Sequence, residues 1–257
     1  MSGWIAVAGL GPGAPELVTP EVAAALSVAT DIVGYANYVE RVPPRPGLTL
    51  HASDNRVEYE RACQALELAA AGKQVVVVSS GDPGVFAMAA AVFEALEEGP
   101  AEWRELDVRI LPGITAMLAA SAEAGAPLGH DFCCINLSDN LKPWSLIEHR
   151  LRHAAAGDFA MAFYNPRSKS RPEGFARALE CLRETCGNDR LILFARAVST
   201  DEQHIQVSTL GEARQEMADM RTLVIVGSSE TRLIERPQGR QPWVYTPRSA
   251  SGERSAS

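Results

Sequence analysis

Short apolar runs of strand length alternate with amphipathic stretches of helix length from the first residues onward. Residues 4–10 are an apolar run that ends in Gly9-Leu10-Gly11-Pro12-Gly13, the pattern of a buried strand entering a glycine-rich loop. Thr19-Pro20-Glu21 is a helix start, because a threonine cap, a first-turn proline and an acid near the positive end are each favourable there. The pattern then predicts a helix over 22–29, a strand over 32–35 and a helix over 57–71 with Gly72 as its stop. Residues 74–79 contain four consecutive valines and predict a strand buried on both faces, as parallel sheets require. That strand empties into Ser80-Gly81-Asp82-Pro83-Gly84, and a helix is predicted over 85–96. A strand over 108–111, the loop Pro112-Gly113-Ile114-Thr115 and a helix to about 123 close the first series.

A second series follows the turn-rich segment 125–129. It predicts strands over 132–137 and 159–164, helices over 144–156 (closed by Gly157) and 173–185, and strands over 191–197, 205–208 and 223–226. The chain therefore reads as two α/β domains, 1–125 and 126–245. Residues 246–257 are rich in Ser, Arg and Pro and are expected to be a disordered tail.

Composition narrows the class. The 257 residues are 46% hydrophobic but only 6% aromatic, which suits parallel α/β layers better than a β-sandwich. A net charge of −8 argues against a nucleic-acid partner. No apolar run approaches the roughly 20 residues that span a bilayer, and the first residues lack the basic patch and cleavage site of a signal peptide. The five cysteines (63, 133, 134, 181 and 186) form no C-x-x-C pair; reduced structural thiols and a cytoplasmic setting are expected, with no metal site.

Four loops at predicted strand ends carry unusual residues: 9–13, 80–84, 112–115 and 164–168. In open α/β sheets ligands lie beyond the carboxyl ends of strands, where glycine permits close backbone approach and proline pre-stiffens the loop. One such loop alone is a plain turn; four point to a site. Gly9, Gly11 and Ala14 satisfy G-x-G-x-x-A, but Pro12 and Pro15 stand where a phosphate-binding helix begins. Asp31 precedes its strand instead of following it, so a nicotinamide site and an ordinary Rossmann-like methyltransferase are both disfavoured. No G-K-[ST] sequence occurs, which excludes a Walker A loop.

Residues 7–13 (V-A-G-L-G-P-G) with 16–19 (E-L-V-T), then 80–83 (S-G-D-P), then 112–116 (P-G-I-T-A), resemble in order and spacing the tetrapyrrole methylase superfamily, over residues 3–245. Two further stretches, 137–139 (L-S-D) followed by Pro143-Trp144, and 163–171 (F-Y-N-P-R-S-K-S-R), resemble its branch that methylates C17 of precorrin-3B. The resemblance implies a two-domain α/β fold, a homodimer, and S-adenosylmethionine in the cleft between domains. Carried over by position, cofactor contacts fall to Pro12, Gly81, Asp82, Val85, Thr115, Ala116, Tyr164, Asn165, Ala197 and Thr222. Asp82 has a second reading, as the cap of the helix after it. Phe86 departs from the tyrosine the family often carries there, so an aromatic wall is kept and a hydroxyl lost.

The substrate implied by the resemblance is a tetrapyrrole polycarboxylate, and an acidic protein must concentrate positive charge to hold it. Between 142 and 171 there are six Lys or Arg (142, 150, 152, 167, 169, 171) against Glu148 and Asp158. Arg150 and Arg152 read as a solvated helix face, whereas Arg167, Arg171 and Arg196 read as carboxylate-binding. The implied reaction is C17 methylation with ring contraction, a step that releases a hydroxyl proton and calls for a base. Asp139 and His204 are the leading candidates, beside Asp54 and His130, and helix capping before Trp144 is the other reading of Asp139. Two alternatives stay open: the same reaction on a cobalt-bound intermediate, and a tetrapyrrole carrier without catalysis.

Overall fold

The computed structural model describes residues 3–54 and 57–249. The chain divides into two compact units, residues 1–116 and 117–257.

The first unit is a parallel sheet of β1 (Trp4–Gly9), β2 (Asp31–Tyr35), β3 (Thr49–Ser53), β4 (Gln74–Ser79) and β5 (Asp107–Leu111), in the order β3-β2-β4-β1-β5. Its strands read as near-continuous apolar runs because both faces are covered. Ile5, Val7, Val75 and Val77 pack with α3 (Glu58–Ala70) and α4 (Met88–Glu98) in one core. Their neighbours Ala6, Ala8, Val76 and Val78 pack with Val22 of α1 (Pro20–Val28) in another. This is the period-two alternation of a strand. Each fully buried valine contributes about 1.5–3 kcal/mol, so the four in β4 anchor the sheet. Thr19 caps α1 by accepting from the Val22 N–H at 3.3 Å, as its sequence implies.

Strands β1 and β4 are adjacent, yet their connections leave in opposite directions: β1 leads over β4 to β2, and β4 leads over β1 to β5. The carboxyl ends of β1 and β4 therefore form the topological switch point, the usual ligand position in such sheets.

The second unit contains α5 (Ala116–Ala124) from its second residue on, β6 (Gly125–Ala126), β7 (Phe132–Asn136), α6 (Trp144–Ala156), β8 (Ala160–Tyr164), α7 (Gly174–Cys186), β9 (Leu191–Arg196), β10 (His204–Thr209), β11 (Thr222–Val226), β12 (Arg232–Ile234) and β13 (Trp243–Tyr245). Its main sheet has the order β10-β9-β11-β8-β7, with β7 and β8 parallel and the other pairs antiparallel. Helices α6 and α7 cover one face through Ile147, Leu151, Phe175 and Leu182. Strands β12, β13 and β6 form a separate three-stranded sheet.

Several elements differ from the sequence reading. The units divide at Ala116 and not at 125, since the Met117 N–H donates to the Tyr164 hydroxyl and β6 pairs with β13, tying this stretch to the second unit. Helix α4 begins at Met88, three residues late, because Phe86 is left-handed (φ 54°) and Ala87 is extended. The segment expected to be disordered begins with an ordered residue. Thr246 is buried, its hydroxyl donates to the Pro127 carbonyl at 2.6 Å, and residues 250–257 lie outside the described ones. Short α2 (Ala36–Val39) and strand β3 went unread because neither is an apolar run.

Candidate active site

In the first unit all five strands are parallel, so the loops after β1, β4 and β5 share one edge. At the switch point the first two loops are bridged. The Gly81 N–H donates to the Gly11 carbonyl at 2.9 Å, and the Gly11 N–H to the Gly81 carbonyl at 3.2 Å. Glycine is required here chiefly for contact between loops. A Cβ on Gly9 would stand 2.4 Å from the Gly81 carbonyl oxygen, and one on Gly113 would stand 2.2 Å from the same atom. Gly11 and Gly81 also lie in the left-handed region, at φ 67° and 63°, where other residues are strained.

Asp82 locks this arrangement. One carboxylate oxygen accepts the Gly84 N–H at 2.8 Å and the other accepts the Gly113 N–H at 3.0 Å. The carboxylate thus ties the loop after β4 to the loop after β5, and it does not cap α4, whose N-cap Ala87 has no side-chain bond. Val85 precedes the helix instead of opening it. Thr115 is buried beside Gly81, its Cα 3.4 Å from where a Gly81 Cβ would stand, and the Ala116 nitrogen is at 3.8 Å. Pro12, Gly81, Asp82, Thr115 and Ala116 therefore belong to one loop cluster. Phe86 is half exposed just beyond it.

In the second unit the strand directions bring another set to one edge. The carboxyl ends of β7, β8 and β9 lie with the amino ends of β10 and β11. That edge carries Asp139, Tyr164, Asn165, Arg196, Ala197, His204 and Thr222. His130 precedes β7 and so falls at the opposite edge, and Asp54 belongs to the first unit.

Three residues at this edge hold a strained backbone, Asn165 at φ 52°, Ala197 at φ 48° and Ser199 at φ 62°. Such strain persists only where surroundings over-determine it, and it clusters at functional sites. The Asn165 side chain donates to Asn136 Oδ1 at 3.1 Å. Ala197 donates to the Arg221 carbonyl at 2.9 Å and accepts from the Thr200 hydroxyl at 2.8 Å.

The three arginines differ in their commitments. Arg196 donates to Asp219 at 2.9 Å and lies 3.6 Å from Glu202. Asp219 also accepts from the Thr222 hydroxyl at 2.8 Å and the Arg221 N–H at 2.9 Å. Burial opposes the Asp219 charge, but the hydrogen bonds from Thr222 and Arg196 outweigh it and hold its pKa below the ordinary carboxylate value. Arg171 donates to the carbonyls of Leu137 and Asn165 at 3.4 and 3.3 Å and lies 4.0 Å from Asp139. Of these three arginines, Arg167 is the one with a buried nitrogen, Nε, that has no hydrogen-bond partner among the described residues. Burial, then the nearby charges of Arg150 and Arg171, push the Lys142 pKa down.

Sequence reasoning missed Asn136, Asp219 and Arg41, which donates to three carbonyls of the first loop. Asp219 had a local signal, an acid three residues before a threonine at a strand start. Arg41 had none, since its partners lie about thirty residues earlier. The five cysteines are free, and burial raises their pKa values, that of Cys134 to about 12 beside Cys133, so none is poised as a thiolate.

Comparison with known proteins sets this geometry in context. A family model of the Tetrapyrrole (Corrin/Porphyrin) Methylases matches residues 5–214. A Precorrin-3B C(17)-methyltransferase of Sinorhizobium sp is 52% identical over 98% of this chain and 99% of its own. A "Probable cobalt-factor III C(17)-methyltransferase" of Salmonella typhimurium is 38% identical over 88% of this chain and 93% of its own. The crystal structure of the methyltransferase CobJ superposes with a TM-score of 0.92, at 68% identity, over 96% of this chain and all of that one. The uroporphyrin-III C-methyltransferase of Thermus thermophilus, complexed with S-adenosylhomocysteine, shares the fold at a TM-score of 0.68 and 24% identity, over 88% of this chain and 97% of its own.

Proposed function

The chain belongs to the tetrapyrrole (corrin/porphyrin) methylases, and from that membership we propose that it methylates C17 of precorrin-3B and contracts the ring to give precorrin-4 in cobalamin biosynthesis. The observation that carries this reading is 52% identity, across nearly the whole of both chains, to a precorrin-3B C(17)-methyltransferase. The protein is an S-adenosylmethionine-dependent C-methyltransferase. It works as a cytoplasmic homodimer on a free acidic tetrapyrrole, apart from membranes and nucleic acid. Among the described residues no helix is long and apolar enough to cross a membrane.

S-adenosylmethionine supplies a methyl group already activated by its sulfonium, so the protein's task is to orient cofactor and acceptor carbon. We assign cofactor contacts to Pro12, Gly81, Val85, Thr115 and Ala116 of the first unit, and to Tyr164, Asn165, Ala197 and Thr222 of the second. The fit rests on small side chains at 116 and 197 and on backbones fixed by their own hydrogen bonds. Asp82 serves by holding its loops. Contraction needs a group to take the hydroxyl proton, and Asp139 and His204 are our assignments because both stand at the site edge of the second sheet.

Of the three arginines at this edge, Arg167 is assigned to the substrate and Arg171 and Arg196 to the edge itself, because Arg167 has an uncommitted buried donor among the described residues and the other two do not. Arg167→Ala is expected to weaken tetrapyrrole binding about ten- to hundredfold, the worth of one charge-assisted bond, with S-adenosylhomocysteine binding unchanged. Arg171→Ala should instead lower the melting temperature and weaken both ligands. Fluorescence titration of each ligand checks this, and equal substrate affinity in wild type and Arg167→Ala removes Arg167 from the substrate site.

The reading as a whole is tested by thermal shift with S-adenosylhomocysteine. A ligand at a hundred times its Kd adds about 2.7 kcal/mol to the folded state, so a rise in melting temperature is expected. No rise would exclude the methyltransferase and leave a carrier.

A further inference from the structure

Arg41 follows α2, and its half-buried guanidinium points back to the loop after β1. Nη2 donates to the Leu10 carbonyl at 2.6 Å and to the Gly13 carbonyl at 3.2 Å, and Nη1 donates to the Gly11 carbonyl at 3.3 Å. No carboxylate lies within ion-pair distance of it among the described residues. The arrangement follows from the loop's chemistry. The strand ladder ends before this segment; the Gly11 carbonyl keeps one backbone partner, the Gly81 N–H at 2.9 Å, and Arg41 shares that carbonyl and serves those of Leu10 and Gly13. Three carbonyls turned to one side need several donors in a fixed plane, which a guanidinium provides and an ammonium does not.

We propose that Arg41 is a positioning residue for methyl transfer, fixing the glycine loop after β1 in its ligand-binding shape without touching cofactor or substrate. The effect reaches further than that loop. Gly11 is bridged to Gly81, and Asp82 next to it is bonded to Gly113, so all three loops of the first-unit edge are registered in sequence from Arg41. The proposal rests on the assignment of those loops to the cofactor.

The test is calorimetric titration of S-adenosylhomocysteine into wild type, Arg41→Lys and Arg41→Met, with the melting temperature of each unliganded protein measured in parallel. Wild-type binding is the control for the assignment itself; its absence would sink that assignment and the inference built on it, whereas a failure confined to the variants' behaviour bears on the inference alone. Given wild-type binding, both variants are expected to bind about tenfold or more weakly, since at least two charge-assisted bonds to the loop are lost. Arg41→Lys keeps the charge and the approximate bulk, so it decides the matter if Arg41→Met does not fold. A merely structural arginine would lower the melting temperature and leave the affinity of the folded protein unchanged. Wild-type affinity in Arg41→Lys overturns the inference.

Discussion

Gly113→Ala is expected to lower the melting temperature by about 6–12 °C and to remove the stabilisation by S-adenosylhomocysteine. The added Cβ would meet the Gly81 carbonyl oxygen at 2.2 Å and the Gly9 carbonyl oxygen at 2.8 Å. Both are backbone atoms in a bridged loop cluster and cannot turn aside as a side chain would. Overpacking of this kind costs about 3 kcal/mol, and for a chain of this size each kcal/mol moves the midpoint by about 2–4 °C. Gly72→Ala is the matched control. Gly72 has φ 87° with nothing within 4 Å of its Cβ position, so its substitution carries only backbone strain of about 1 kcal/mol and should spare binding. A Gly113→Ala protein with a wild-type response to the ligand would show that the loops can separate without loss.

The second large effect belongs to Asp82→Ala. It removes the acceptors for the Gly84 and Gly113 N–H groups, two charge-assisted bonds worth about 1.5–3 kcal/mol each. Affinity for S-adenosylhomocysteine should fall about a hundredfold or more, and the melting temperature of the unliganded protein should fall as well. The second readout separates the two roles Asp82 can have. A residue that only touched the cofactor would leave the unliganded protein as stable as wild type, whereas a tie between loops cannot. Asp82→Asn keeps one acceptor oxygen and should lie between.

Much of this was legible in the sequence for reasons of local chemistry. The β4 valines are unambiguous because a strand covered on both faces has no polar side to show. The glycine and proline loops were found because those residues punctuate backbone whatever the tertiary context. What glycine does at 9 and 113 was read differently: the sequence suggested room for a ligand, and the structure shows room for a neighbouring loop. Arg196 and Arg171 looked like Arg167 in sequence, since a charged side chain at a strand end does not reveal its partner. The Asn165 carbonyl lies six residues before Arg171 in the same loop, but Asp219 and the Leu137 carbonyl come from other connections and meet Arg196 and Arg171 only through the strand order. Arg41 was invisible for the same reason. Strand β3 escaped because Thr49-Leu50-His51-Ala52-Ser53 lies at a sheet edge and lacks the apolar run of its inner neighbours.

The central claim is the reaction, and turnover of its substrate tests it most directly. Purified protein is incubated with S-adenosylmethionine carrying a labelled methyl group and, in parallel, with metal-free precorrin-3B or its cobalt-bound counterpart. Product mass and absorption are then read. The account predicts one labelled methyl group on the metal-free substrate, together with the absorption change of a contracted macrocycle. Methylation of the cobalt-bound compound alone, or of the metal-free one at a carbon other than C17, would contradict it.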